Sequence, residues 1–283
     1  MTKDSVSEDE TYKFFLKKLK VRFHRRICGD GEEIEIFNPE LIPVGSEHKH
    51  MDTYYKVDNK YQQNMEFQST PVYPERMFGI FIYMVLALAE LLLEIHTCIL
   101  ATYPPSYGIQ KLQFWQLIFT PMFFFTKDLK ASEIIKTVKN KNKNNIALTD
   151  NEAIDLLIAP DMTHNYEIKE LLEITTTLLV EAKIHDGEFH ENLIICQRKV
   201  LKRFLNKNER KEIENMIDLK AKAKELGIEP NVTGFEEEMR IEYLDGKREG
   251  EIDFARKLLE IGVDEDIISQ GTDIPIERIK RNL

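Results

Sequence analysis

The chain has 283 residues, 42% hydrophobic and 31% charged, enough to bury a sizeable core in one larger domain or two smaller ones. Its polar, acidic start, MTKDSVSEDE, argues against a secretory leader; three scattered cysteines with no CxxC pair argue against a disulfide framework or zinc ribbon and fit a reducing cytoplasm. A net charge of −10 counts against a nucleic-acid partner unless local basic patches or a bound metal supply the positive charge that phosphates require.

In chain order, Tyr12, Phe15, Leu16, Leu19 and Phe23 recur at helical spacing and predict one helix over 11–26. The remaining positions carry Lys13, Lys17, Lys18, Lys20, Arg22, Arg25 and Arg26, either a phosphate-binding face or a solvated helix surface. Gly29-Asp30-Gly31 ends the helix. Residues 33–37 alternate as a strand, Asn38-Pro39 turns it, and 41–44 begin another extended piece. His48, His50 and Asp52 then fall on one strand face, a pattern open to a two-His-one-carboxylate metal site or to plain solvated residues beside a loop.

The stretch HMDTYYKVDNKYQQNMEFQ, residues 50–68, reads with period 2. Met51, Thr53, Tyr55, Val57, Tyr61, Gln63, Met65 and Phe67 make a mostly apolar set, and the intervening positions are mostly polar, which predicts two half-buried strands. Asp58-Asn59-Lys60 between them is turn chemistry, because Asp and Asn tolerate left-handed backbone and bond their own main chain. Centring the register on Asn59 pairs Val57 with Tyr61, Asp52 with Glu66 and His50 with Gln68. Two carboxylates then face each other on the solvent side with no Lys or Arg directly opposite either one. Like charges so placed repel, and a divalent cation between them relieves the repulsion.

Asp52 on one strand and Glu66-Phe67-Gln68 on the next resemble the D…ExK signature of the PD-(D/E)XK nuclease superfamily. The match is more specifically similar to the recombination-promoting nuclease (Rpn) and transposase-like family, in which the final Lys is commonly Gln. The closing segment ARKLLEIGVDEDIISQGTDIPIERIKRNL resembles that family's tail. The resemblance implies an α/β, restriction-endonuclease-like core in the order α-β-β-β-α-β, with a helical C-terminal region. It further implies a metal-dependent DNA endonuclease of recombination. In that reading Asp52, Glu66 and the Phe67 backbone carbonyl hold Mg2+ or Mn2+, and Gln68 orients a water where the superfamily's Lys adds charge. Glu10 is the nearest first-helix acid to join the metal, and His50 is a second auxiliary residue. The alternative is a non-catalytic nucleic-acid-binding or assembly protein that retains the fold.

Beyond the hairpin, Pro71 and Pro74 precede a long helix over 75–93. Its apolar stretch, 77–93, is at the bottom of the roughly 17–25 residues that span a bilayer, and the strand-like run at 95–102 follows at once. A helix packed on a sheet is the expectation, with no membrane. Arg76 near its start points either at the acidic hairpin or at phosphate. The run at 117–125 is interrupted by Pro121, so it is an edge strand or kinked. A short helix at 131–139 leads into KNKNKNN at 139–145, read as an exposed loop. Thr149 with Glu152 caps the next helix, and further helices are predicted at 167–184, 192–205 and 209–226. Arg198, Lys199, Lys202, Arg203, Lys207, Arg210 and Lys211 make the most basic window, either a DNA groove or an ordinary helix surface. GIEPNVTG at 227–234 is a linker, followed by short helices whose helix-turn-helix cadence suits either DNA reading or, with the acidic Asp264, Glu265 and Asp266 on the middle helix, a packing or oligomerising hairpin. The expected domains are 1–130 as nuclease-like core, 131–226 as helical region, and 227–283 as linker and tail.

No GxxxxGK[ST] phosphate loop, GxSxG elbow or HExxH helix competes with this reading.

Overall fold

A computed structural model describes residues 6–37, 52–91 and 94–225, and the statements below concern those residues. The expectations for His48, His50, the extended piece at 41–44, and everything from 226 onward lie outside them. Two compact units divide the chain, Met1–Arg210 and Lys211–Leu283.

The first unit opens with α1 (Glu8–Leu19). Ser7 and Glu10 close a reciprocal capping box at its start, so Glu10 accepts the Ser7 amide (3.1 Å) while the Ser7 hydroxyl accepts the Glu10 amide (3.2 Å). The predicted single helix is in fact two. Lys20, at φ 48° and ψ −126°, breaks it, and α2 (Val21–Cys28) follows, ending at Gly29 with φ 100°. β1 (Ile34–Phe37), β2 (Thr53–Val57) and β3 (Tyr61–Gln68) form an antiparallel meander. Val57 pairs with Tyr61 and Thr53 with Met65, the register read from the sequence. Asp58 and Asn59 both take left-handed backbone in the three-residue turn, and Asp58 Oδ1 accepts the amides of Glu32 and Glu33, each at 2.8 Å.

Pro74 starts α3 (Pro74–Leu91), which crosses over to β4 (Ile95–Ala101), parallel to β3. Among the described residues no helix is long and apolar enough to cross a membrane. β5 (Leu112–Phe114) and β6 (Leu117–Phe119) make a separate two-stranded hairpin; Pro121 then divides the apolar run, and β7 (Met122–Phe125) becomes the edge strand parallel to β4. The five-stranded sheet runs β1-β2-β3-β4-β7. The protein is thus mixed α/β, with helices, three strands, a helix and a strand in the predicted order.

β3 alternates its side chains between two covered faces. Phe67 stacks on Tyr12 of α1 at 5.6 Å, whereas Tyr54 of β2 packs with Tyr83 and Ala87 of α3. The expectation of a solvent-facing polar side therefore fails: Gln62, Asn64, Glu66 and Gln68 are all buried. Their strand lies in mid-sheet between β2 and β4, with α1 over one face and α3 over the other. Strands so placed are buried on both sides whatever their local pattern.

The helices after the sheet are α4 (Ala131–Lys143), α5 (Asp150–Ile158), α6 (Ile168–Glu181), α7 (Gly187–Phe204) and α8 (Lys207–Glu225). α4 runs through most of the Lys/Asn segment read as a loop, because Lys141 pairs with Glu152 (2.7 Å) and the Asn142 amide donates to the Leu178 carbonyl (2.9 Å). No boundary falls at 130. Arg22 reaches Asp186, Arg26 reaches Asp155, and Arg203 of α7 reaches Glu8 of α1, so the sheet and α1 to α7 belong to the same unit.

Candidate functional site

Near the end of β3 the two carboxylates are close enough for the Asp52 charge to act on Glu66. Asp52 sits one residue before β2, and its Oδ2 accepts the Phe67 amide at 2.9 Å. The Phe67 carbonyl leaves the strand on the same edge as its amide, so it too is on the Asp52 side. Glu66 lies on the α3 face and is wholly buried. Arg76, at the start of α3, donates to Glu66 Oε2 at 3.1 Å and is itself half exposed. Of the two directions open to Arg76, the structure takes the one toward the hairpin.

Burial, and then the nearby Asp52 charge, raise the Glu66 carboxyl to about 7, with Arg76 opposing. Asn64 and the Asp52 backbone also soften that charge, yet Glu66 Oε1 and both polar atoms of the Asn64 side chain have no partner with hydrogen-bond geometry. Buried polar groups left unpaired cost on the order of 1–3 kcal/mol each. A fold that only needed a strand here would place apolar residues at 64 and 66. Orphaned buried acceptors beside a second carboxylate therefore suit a cation.

The donor set is all oxygen: Asp52, Glu66 and the Phe67 carbonyl, the chemistry of a hard dication that keeps several waters. Among the described residues no three His, Cys, Asp or Glu side chains converge closely enough to hold a metal by themselves, so water would complete the shell. Within those terms the residues fit Mg2+ or Mn2+.

The sequence reading misses the α1 contribution. Asp9, not Glu10, turns inward. Lys13 bridges Asp9 Oδ2 (2.8 Å) and Asp52 Oδ1 (3.5 Å), and Asp9 Oδ1 is a buried atom without a partner. Burial raises the Asp9 carboxyl, and the Asp52 charge adds to the shift. Glu10 is spent in its own helix cap and exposed. The S-x-x-E spacing of Ser7 and Glu10 carries that signal in the sequence. Gln68 is buried at the end of β3, its carbonyl accepting the Thr102 amide at 3.1 Å.

The proposed basic surfaces are partly used internally. Arg203 forks onto Asp161 (2.6 and 2.8 Å) and also meets Glu8 (2.8 Å), while Tyr12 donates to the same Asp161 at 2.7 Å. At 12% side-chain exposure it is a buried tie between α7 and α1, so its assignment to nucleic acid is corrected. Lys199 lies over the Phe14 ring at 5.7 Å, Arg198 is half-buried, and Lys202 is exposed. On the first two helices, Lys13, Arg22 and Arg26 are paired with carboxylates, leaving Lys17, Lys20 and Arg25 exposed.

A scan of the chain against protein-family models finds no match, and no curated protein or solved structure matches it.

Proposed function

We propose that this chain is a metal-dependent DNA endonuclease with a restriction-endonuclease-like core, of the recombination-promoting type its signature resembles. The observation that carries the reading is Glu66: a fully buried carboxylate with an unpartnered oxygen, beside Asp52 from the neighbouring strand. Such a group weakens the fold, and function is a physical reason to keep it.

Asp52, Glu66 and the Phe67 carbonyl would hold a divalent cation, which would supply polarisation of a phosphate and a lowered pKa for an attacking water. The chain's own groups do the rest. Asp52 holds the Phe67 amide and thereby aims the Phe67 carbonyl at the cation-binding edge. Gln68 offers hydrogen bonds to water but no charge, and Lys13, 3.5 Å from Asp52, supplies the positive charge that Gln68 lacks. Arg76 neutralises Glu66 in the free protein and is exposed enough to turn to a phosphate instead. Lys202, exposed on α7, is a residue of the basic window that can meet DNA backbone.

A second reading, a nucleic-acid-binding or assembly protein without catalysis, draws on the same contacts: Lys13 and Arg76 already pair both carboxylates. Supercoiled plasmid with Mg2+ separates the two. Nicking by the wild type, lost in Asp52→Ala and Glu66→Ala, is the expected result. No nicking by a folded wild type favours the binder, and nicking that survives both substitutions removes the site assignment.

A further inference from the structure

The β5–β6 hairpin is closed by two residues, Trp115 and Gln116, between the paired Phe114 and Leu117. Two-residue hairpin loops need left-handed backbone, which Gly and Asn supply at least cost. Here Trp115 takes it, at φ 46°, and the residue is 99% exposed. Phe114, Leu117 and Ile118 are exposed as well, so apolar side chains dominate the tip. The root is fixed. Leu112 and Phe119 belong to the core, Phe119 meets Phe81 of α3 at 5.4 Å, and Phe114 packs edge-on against Phe78 at 5.3 Å. A strained turn that holds a large ring in solvent on a fixed base costs stability, and contact with something outside the chain is a physical reason to keep it.

Charge and position point to the occupant. From Ile95 to Lys127 the chain has no Asp or Glu, although 49 of its 283 residues are acidic. An acid-free finger on a protein of net charge −10 suits a polyanion, and Lys111, exposed just before β5, supplies a cation. The finger also stands at the candidate site's end of α3: Phe78 lies two residues beyond Arg76, which reaches Glu66. Tyr73 and Tyr107 are exposed at that same end. Gly108, at φ 77°, lets its loop lie against Val72, where the Ile109 amide donates to the Val72 carbonyl at 2.8 Å. Flat rings with a cation close by are the means by which proteins hold unpaired bases. A lipid surface would call for several more cations around the tip.

We propose that the β5–β6 hairpin is a base-stacking finger that restricts the substrate to single-stranded or locally opened DNA, an inference that rests on the nuclease reading above. Within a duplex the faces of the bases are covered by their neighbours, so Trp115 finds a partner only where a base is unstacked. Stacking on such a base covers the indole that the hairpin exposes, and Lys111 meets an adjoining phosphate. Every base has a flat face, so the finger selects DNA structure rather than sequence.

Trp115 is the only tryptophan in the chain, so the intrinsic fluorescence of the full chain reports this tip alone. The protein is titrated with a thymidine oligonucleotide in the presence of a chelator, which keeps cleavage out of the measurement. The expected result is saturable quenching by the single strand and little by a blunt duplex of the same length. With a labelled single strand followed by anisotropy, Trp115→Ala should bind about 5- to 150-fold more weakly, the effect of losing one stacked base, while Trp115→Phe keeps most of the affinity. Unchanged single-strand affinity in Trp115→Ala overturns the proposal, as does equal quenching by duplex and single strand. A blue shift on phosphatidylserine vesicles without quenching by DNA overturns it in favour of a membrane surface. A blue shift that grows with protein concentration alone overturns it in favour of a second copy. The nuclease reading fails separately: plasmid nicking by a wild type whose Trp115 ignores DNA removes the finger only, and quenching by single strands without nicking removes only catalysis.

Discussion

Glu66 is where the chemistry of one residue speaks loudest. Its carboxyl ionises near 4.5 in the unfolded chain and near 7 in the native protein. Between those values the native state keeps a proton that the unfolded state has released. Stability therefore falls as pH rises through that window and is level above it. The loss is on the order of 3 kcal/mol, since each pKa unit is worth about 1.4 kcal/mol and this group is wholly buried. Glu66→Gln is expected to flatten that part of the profile and, at pH 8, to equal or exceed the wild type in stability while abolishing nicking. Urea midpoints across pH in the presence of a chelator check this. Glu8, Asp9 and Asp155, also raised by burial, slope the same way, so the wild-type-minus-variant difference is the quantity to read. Both carboxylates of the pair were legible in the period-2 pattern. The inward turn of Asp9 was not, because three consecutive acids open α1 and only packing selects among them.

At the scale of elements, the break at Lys20 is informative. The apolar residues Tyr12, Phe15, Leu16, Leu19 and Phe23 keep helical spacing straight through it, and no Gly or Pro marks it. The backbone there, φ 48° and ψ −126°, is one that Gly adopts and side-chain-bearing residues avoid. Lys20→Gly is accordingly expected to stabilise the protein by about 1 kcal/mol, seen as a higher thermal midpoint with unchanged helix content. A lower midpoint would mean that the break relaxes to a continuous helix. α4 errs in the opposite direction: its Lys/Asn-rich end has weak helix propensity, but Lys141 and Asn142 find partners on α5 and α6 and hold the turn in place.

For the molecule as a whole, sheet and helices up to Arg210 share a compact unit. A fragment ending at 130 would leave Glu8, Tyr12, Arg22 and Arg26 without Arg203, Asp161, Asp186 and Asp155. It would also uncover the α1 face that packs on α7. We expect such a fragment to lose cooperative unfolding and to bind a hydrophobic dye, whereas the chain through Arg210 melts in a single transition; circular dichroism and dye fluorescence distinguish the two. A cooperatively folded fragment would restore the boundary at 130.

Local pattern by itself determined the hairpin, its turn and register, the α3 crossover, the interruption at Pro121 and the Thr149–Glu152 cap, since each depends on neighbours within a few residues along the chain. Only the tertiary structure decided that both faces of β3 are covered and that Lys13 and Arg76 are the counter-ions. The same is true of Arg203, which is consumed in a buried tie. Those facts depend on which distant side chains meet, and on what burial then does to charge; neither is written in the spacing of one segment.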